Sequence, residues 1–303
     1  MPLEALVQTI QSSLTDEVFF ALGLKRHGRL RRSLGWMLGL PTKKFARHLA
    51  AADEAVAIGG ESAGCQKVLD LLGVNPVVSG QVNISNDGPT IMLCNHPGAY
   101  DSMDIGSQID RKDLKAIVSL TRLYQSLPHI HPALFYVRED GQDQMFVIKG
   151  VIDHLKDGGS LLKFGSCLIE PDPATHLVTS DVFAKWSPSL EIFLRKVPET
   201  LVVPTIASGV LLPRFSNHPL VRLRRDVMDQ RRLAEFLQII QQLLFPKTVR
   251  TTPHISFGKS FTLSDLDIKE NRRIMPAVIT KVKVELDSHL DWISSREDQP
   301  TEK

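Results

Sequence analysis

The residues best suited to chemistry lie together in Cys94-Asn95-His96-Pro97-Gly98-Ala99-Tyr100-Asp101. An imidazole accepts a proton more readily near neutral pH than any other unperturbed side chain. Pro97 and Gly98 force a turn directly after it, which can bring Asp101 back toward His96. The carboxylate would then accept a hydrogen bond from one ring nitrogen, fix the tautomer, and leave the other nitrogen free to take a proton. The pair follows Thr90-Ile91-Met92-Leu93-Cys94, a short apolar run suited to a buried strand. Ligands in open α/β sheets bind outside the carboxyl ends of strands, so location and chemistry agree.

Competing constellations are weaker. On spacing alone, a histidine in a turn is more often polar surface than catalyst. Cys94 shares a strand face with His96, but it belongs to the apolar run, where a free cysteine behaves as a small buried hydrophobe. His129-x-His131, between Pro128 and Pro132, offers two metal-ligand side chains. The sequence supplies no third, so a loop beside the substrate groove is expected, and no metal. Cys65, Cys94 and Cys167 are widely spaced and form no paired ligand pattern, which favours a reducing, intracellular setting.

The elements that must position the His–Asp pair follow from periodicity. Leu3, Leu6, Val7, Ile10 and Leu14 recur at helical spacing, as do Leu30, Leu34, Met37 and Leu38, then Phe45, Leu49 and Ala52. After Gly73 the pattern changes. Strands are expected over Val77 to Ile84, Thr90 to Cys94, Lys115 to Leu120, Ala133 to Val137, Ser160 to Phe164 and Leu201 to Ile206, with a late one at Ile255 and Phe257. Helices are expected near Asp101, around Ile148 and Ile152, around Leu233 to Ile240, and around Val278 to Leu286. Strands alternating with helices predict an α/β fold with a mainly parallel sheet flanked by helices, preceded by a helical section. The expected division is residues 1–73 helical, 74–293 α/β and 294–303 a flexible polar tail.

Charge is near neutral overall but uneven. Lys25, Arg26, Arg29, Arg31, Arg32, Lys43, Lys44 and Arg47 face only Glu4, Asp16 and Glu17 in the first fifty residues. Such a region is attracted to anionic lipid headgroups, and it also fits a solvated helix face. No aromatic-interleaved basic patch or zinc pattern accompanies it, so no nucleic acid is expected. No apolar run approaches the ~20 residues of a membrane span, and no secretory signal is visible. A cytoplasmic protein lying on the membrane is expected, with Leu3, Leu6, Ile10, Phe19 and Phe20 as candidate lipid-facing residues. Arg214, Arg222, Arg224, Arg225, Arg231 and Arg232 form a second basic cluster, either a solvated helix start or a docking surface for anionic lipid or an acidic carrier protein.

Asn95-His96-x4-Asp101 resembles the signature of the glycerol-phosphate and lysophosphatidate acyltransferase family. Leu134-Phe135-Tyr136-Val137-Arg138 resembles that family's second block, Leu201-Val202-Val203-Pro204-Thr205 its fourth, and Ile255-Ser256-Phe257-Gly258-Lys259 the strand that commonly follows. The blocks occur in the family's order across Val77 to Phe261. The third block departs. Phe164 matches the start of Phe-Pro-Glu-Gly-Thr-Arg, but Gly165-Ser166-Cys167-Leu168-Ile169 and then Glu170-Pro171-Asp172-Pro173 replace the rest.

The resemblance implies transfer of a fatty acyl group from acyl-CoA or an acyl carrier protein to a hydroxyl of a lysolipid or polyol-phosphate acceptor. His96 would be the general base and Asp101 its partner. Asn95 and Arg138 would bind substrate, Arg138 by a forked contact to an acceptor phosphate or carboxylate. The backbone near Gly165 and Ser166 would face the thioester oxyanion, and Glu170 would stand in for the missing acid. No cofactor is needed, because the thioester supplies the driving force. The altered third block leaves a second reading: a membrane-associated lipid-binding member of the same fold without turnover.

Overall fold

The computed structural model describes residues 3–21, 29–98, 100–138, 140–166, 168–245, 248–268 and 273–297. In chain order the elements are α1 (Leu3–Ala21), α2 (Arg29–Leu72), β1 (Val77–Ser79), β2 (Thr90–Cys94), α3 (Asp101–Gly106), β3 (Leu114–Ser119), α4 (Arg122–Gln125), β4 (Leu134–Val137), α5 (Gln144–Lys156) and β5 (Ser160–Phe164). They continue with α6 (Ser180–Phe183), α7 (Ser189–Lys196), β6 (Leu201–Ser208), α8 (Pro213–Ser216), α9 (Pro219–Arg222), α10 (Val227–Leu244), β7 (His254–Phe257) and α11 (Met275–Glu297).

The strands form one sheet of order β1-β7-β6-β2-β5-β3-β4. β2, β3, β4, β5 and β6 run parallel, β7 runs antiparallel to β6, and β1 pairs parallel with β7. The expected α/β class with a mainly parallel sheet is therefore the observed one. β2 lies in the interior and every residue of it is buried. Ile91 and Leu93 pack with α5, α7 and α11 through Val151, Phe193 and Val278. Met92 and Cys94 face the other way, against Ile105, Val203 and Phe257. Burial on both faces is why the strand reads as a continuous apolar run rather than an alternating one.

After β2 the chain builds β3, β4 and β5 on one side of it, then β6 and β7 on the other. The carboxyl end of β2 is thus a topological switch point, where the connections diverge and leave a crevice.

Several expectations shift. The first strand stops at Ser79, because Gly80 takes φ +74° and turns the chain into a 3-10 helix over Gln81–Asn83. α2 bends at Gly60, whose φ is +78°. α11 continues through the start of the expected tail to Glu297, anchored by buried Ile293, and residues 298–303 lie outside the described residues. Leu6, Ile10 and Phe19 are core rather than lipid-facing. Leu6 and Ile10 pack with Leu49, Leu69, Tyr100, Val210 and Leu243. Leu3 is exposed, and the Phe20 side chain lies outside the described residues. Among the described residues no helix is long and apolar enough to cross a membrane.

Candidate active site at the end of β2

His96 and Asp101 meet. His96 Nδ1 lies 2.8 Å from Asp101 Oδ2, with the His96 side chain 27% exposed and that of Asp101 1%. The same Asp101 oxygen accepts the Gly98 N–H at 2.9 Å, and Oδ1 accepts the Ser102 N–H at 2.6 Å. The turn is therefore closed by the carboxylate itself. Gly98 makes it possible with φ +98°, a conformation that L side chains rarely adopt. Ala99 lies outside the described residues.

Phe164, at the end of β5, stacks on the imidazole with ring centroids 4.3 Å apart. No hydrogen bond holds Nε2 among the described residues. The ring is thus fixed at one nitrogen and open at the other, the arrangement a general base requires.

The surroundings are acidic. Burial pushes the imidazolium down, but Asp101, through charge and hydrogen bond, and then Glu235 and Glu170 outweigh it and lift His96 to about 9. Burial raises Glu170, against hydrogen bonds from Ser166, the His96 backbone and Trp186. Burial lowers Arg231, against the charges of Glu170 and Glu235. Beside the turn lies a cavity of about 180 Å³, lined by Pro97, Glu170, Thr175, His176, Gln230 and Arg231 among others.

Other residues expected in the site have different work. Asn95 is buried and pairs with both backbone groups of one residue: its Nδ2 donates to Ala207 O (2.9 Å) and its Oδ1 accepts from Ala207 N (2.8 Å). It ties the end of β2 to β6, with each end of its carboxamide on a backbone partner. The Gly165 N–H donates to Cys94 O at 2.8 Å, so the sheet uses the donor expected to face an oxyanion. A Cβ at Gly165 would lie 2.0 Å from the Trp186 ring, which explains the glycine. Ser166 Oγ donates to Glu170 Oε1 at 2.6 Å.

Glu170 also accepts from Trp186 Nε1 at 2.8 Å and from the His96 N–H at 3.4 Å, while its own N–H donates to His96 O at 2.6 Å. It is a brace under the His96 turn. Arg138 follows β4, three strand positions from β2 or ~14 Å at ordinary spacing. It pairs there with Asp140 (3.3 Å) and Asp143 (3.7 Å).

The alternatives are placed as well. Cys94 is fully buried, and burial holds its thiol well above the usual range. His131 Nδ1 bonds the Tyr136 hydroxyl at 2.8 Å, and no metal-binding cluster exists among the described residues. Arg231 leaves the expected docking cluster for the cavity wall, where its Nη1 donates to Ile169 O. Lys25, Arg26, Glu139 and Cys167 lie outside the described residues.

Sequence reasoning missed Glu235, Trp186 and Asp172. Asp172 is buried and its carboxylate accepts from the Gly209 (2.9 Å) and Val210 (3.0 Å) N–H groups, fixing the loop after β6. The available signal was the Glu-Pro-Asp-Pro string, where paired acids between prolines suit a rigid loop.

No family model matches the chain, and no curated protein matches it. Among solved structures it is similar to the crystal structure of the 1-acyl-sn-glycerophosphate (LPA) acyltransferase, PlsC, from Thermotoga maritima, at 15% identity over 94% of each chain and a TM-score of 0.46.

Proposed function

We propose that this chain is an acyltransferase that moves a fatty acyl group from an acyl thioester, of CoA or an acyl carrier protein, to a hydroxyl of a lysolipid or polyol-phosphate-like acceptor. The observation that carries the reading is the His96 Nδ1–Asp101 bond at 2.8 Å on a part-exposed ring, at the switch point of a parallel sheet. In this reading Nε2 takes the acceptor hydroxyl proton as the oxygen attacks the thioester carbonyl. Asp101 holds the Nδ1 proton and balances the imidazolium. The tetrahedral intermediate then collapses, the C–S bond breaks, and the departing thiolate takes the proton from Nε2. General-base help of this kind contributes about 10²–10⁴ in rate.

A membrane-surface location belongs to the same proposal. Trp36 and Leu40 are 86% and 83% exposed on α2, one helical turn apart. Lys44, the next residue on that stripe, reaches Leu243 O, near exposed Leu244 and Phe245 at the end of α10. An exposed apolar patch with basic neighbours suits an anionic lipid surface. Lys43 and Arg47 are engaged with Glu4 at 3.4 and 3.9 Å, so the apolar residues supply the larger share. Trp36→Ser with Leu40→Ser should reduce binding to anionic vesicles, and unchanged binding would remove this location.

The decisive experiment incubates the purified protein with acyl-CoA or acyl carrier protein and lysolipid acceptors, and measures acylated lipid by mass spectrometry. Thioester-dependent product lost in His96→Ala supports the reading, and undiminished turnover in that variant ends it. A second reading, lipid binding without turnover, is favoured by one observation. Gly165 N–H, the Ser166 hydroxyl and the Glu170 carboxylate are all engaged within the protein. Lipid binding with no product under any donor would support it.

A further inference from the structure

α10 brings two charged residues to the His96 turn that belong to none of the sequence motifs, Arg231 and Glu235, one helical turn apart. The informative contact is at Gly98. A Cβ there would lie 1.8 Å from Glu235 Oε1, 2.8 Å from its Cδ and 3.0 Å from Ile169 Cγ2. The Glu235 carboxyl therefore fills the space that any side chain at position 98 would take, midway along the turn whose ends are His96 and Asp101. Its Oε1 is buried from solvent.

The charges that act on the imidazole are those of Asp101 from α3, Glu235 from α10 and Glu170 from the loop after β5. Arg231 stands beside the two glutamates.

We propose that Glu235 is a positioning residue for His96: a carboxylate from outside the motif that shares with Asp101 the stabilisation of the imidazolium formed when the acceptor's proton arrives. This rests on the acyl-transfer reading. Asp101 divides its charge among His96, Gly98 N–H and Ser102 N–H. Glu170 accepts from Ser166 and Trp186. Glu235 adds a charge across a glycine that has no side chain to keep it away, and the low local dielectric strengthens its effect on the ring. Arg231 sets a positive charge against those of Glu170 and Glu235.

The test is an NMR titration of the His96 ring carbon in the full chain, with the resonance assigned by its absence in His96→Ala. Glu235→Gln and Glu235→Ala should each lower the His96 midpoint by at least about half a pH unit, while Glu235→Asp stays within that margin of the wild type. The rising limb of kcat/KM against pH should move by the same amount in the same variants. An unmoved midpoint in either folded variant overturns the role of Glu235, whatever the activity. A moved midpoint in a protein without His96-dependent acyl transfer overturns the reaction instead, and with it the catalytic part of this role.

Discussion

Asp101→Asn tests the mechanism through pH rather than through loss of activity alone. His96 sits at about 9, against 6.5 for a free imidazole, a difference of about 3 kcal/mol in favour of the protonated ring. A general base must be neutral to act. At pH 7 only about one molecule in a hundred has a neutral ring, so wild-type kcat/KM should climb about tenfold per pH unit from pH 7 and flatten near 9. In Asp101→Asn the largest raising influence is gone while burial, which lowers the midpoint, remains. The variant's limb should fall to the ordinary imidazole range or below, leaving a flat profile from pH 7 to 9.5. Its plateau should be lower by about 10²–10⁴, because the imidazolium has lost its counter-charge. The ratio of wild type to variant should therefore widen about 100-fold between pH 7 and 9.5. The assay is initial-rate acylated-lipid formation by mass spectrometry at low acceptor concentration, with an enzyme-free control at each pH for thioester hydrolysis. Parallel profiles, or a wild type already flat at pH 7, would refute the argument that Asp101 sets the proton affinity of the base.

Four further outcomes are expected. His289 is buried between Ser208 (2.8 Å) and Ser256 (2.9 Å), and burial with the neighbouring His254 lowers it to about 4. The unfolded chain takes up this proton below about 6.5 and the folded chain does not, so stability falls as pH drops from 6.5 to 4, by on the order of 3 kcal/mol. Urea unfolding at pH 7 and 4.5 should show a shallower fall for His289→Gln. Gly98→Ala adds a methyl group against Glu235 at a left-handed φ; it should cost about 1–3 kcal/mol and most of the activity, read by thermal melts and product formation, and a fully active, equally stable variant would contradict the packing. Cys94→Ala should keep the wild-type pH profile and lose about 1 kcal/mol of stability, since the thiol is only core. Asp104 has both carboxylate oxygens buried without a partner among the described residues, and burial raises it well above the usual carboxylate range. Wild-type stability should therefore fall as pH rises from the ordinary carboxylate range through that raised value, and Asp104→Asn should be more stable by about 1–3 kcal/mol at pH 8 in urea melts.

The legibility of this chain divides along a physical line. What depends on local pattern was readable: the buried run of β2, the turn at Pro97-Gly98, and the return of Asp101 to His96. Each is set by neighbours within a few residues. What depends on tertiary approach was not. The resemblance implies a substrate role for Asn95, and nothing local shows that Ala207 of β6 presents both its N–H and its C=O to that side chain. Gly165 looked like an oxyanion donor because its pairing to Cys94 exists only once β5 lies beside β2. Arg138 looked like an anion clamp, but the strand order puts β4 at the sheet edge, where Asp140 and Asp143 are nearer than any group of the His96 turn.

The third block is where these two kinds of information collide. Read locally, the segment departs from the pattern it resembles at the proline, glutamate, threonine and arginine positions. In three dimensions the segment remains engaged with the site. Phe164 supports the imidazole ring, Glu170 bonds the backbone of His96 in both directions, and Asp172 fixes the loop after β6. In this chain the segment from Phe164 to Asp172 is the brace of the His96 turn. Removing it should therefore disturb the ring's orientation before it disturbs the fold. Glu170 lies at the centre of that argument, because it joins Ser166, Trp186 and His96 through one carboxylate.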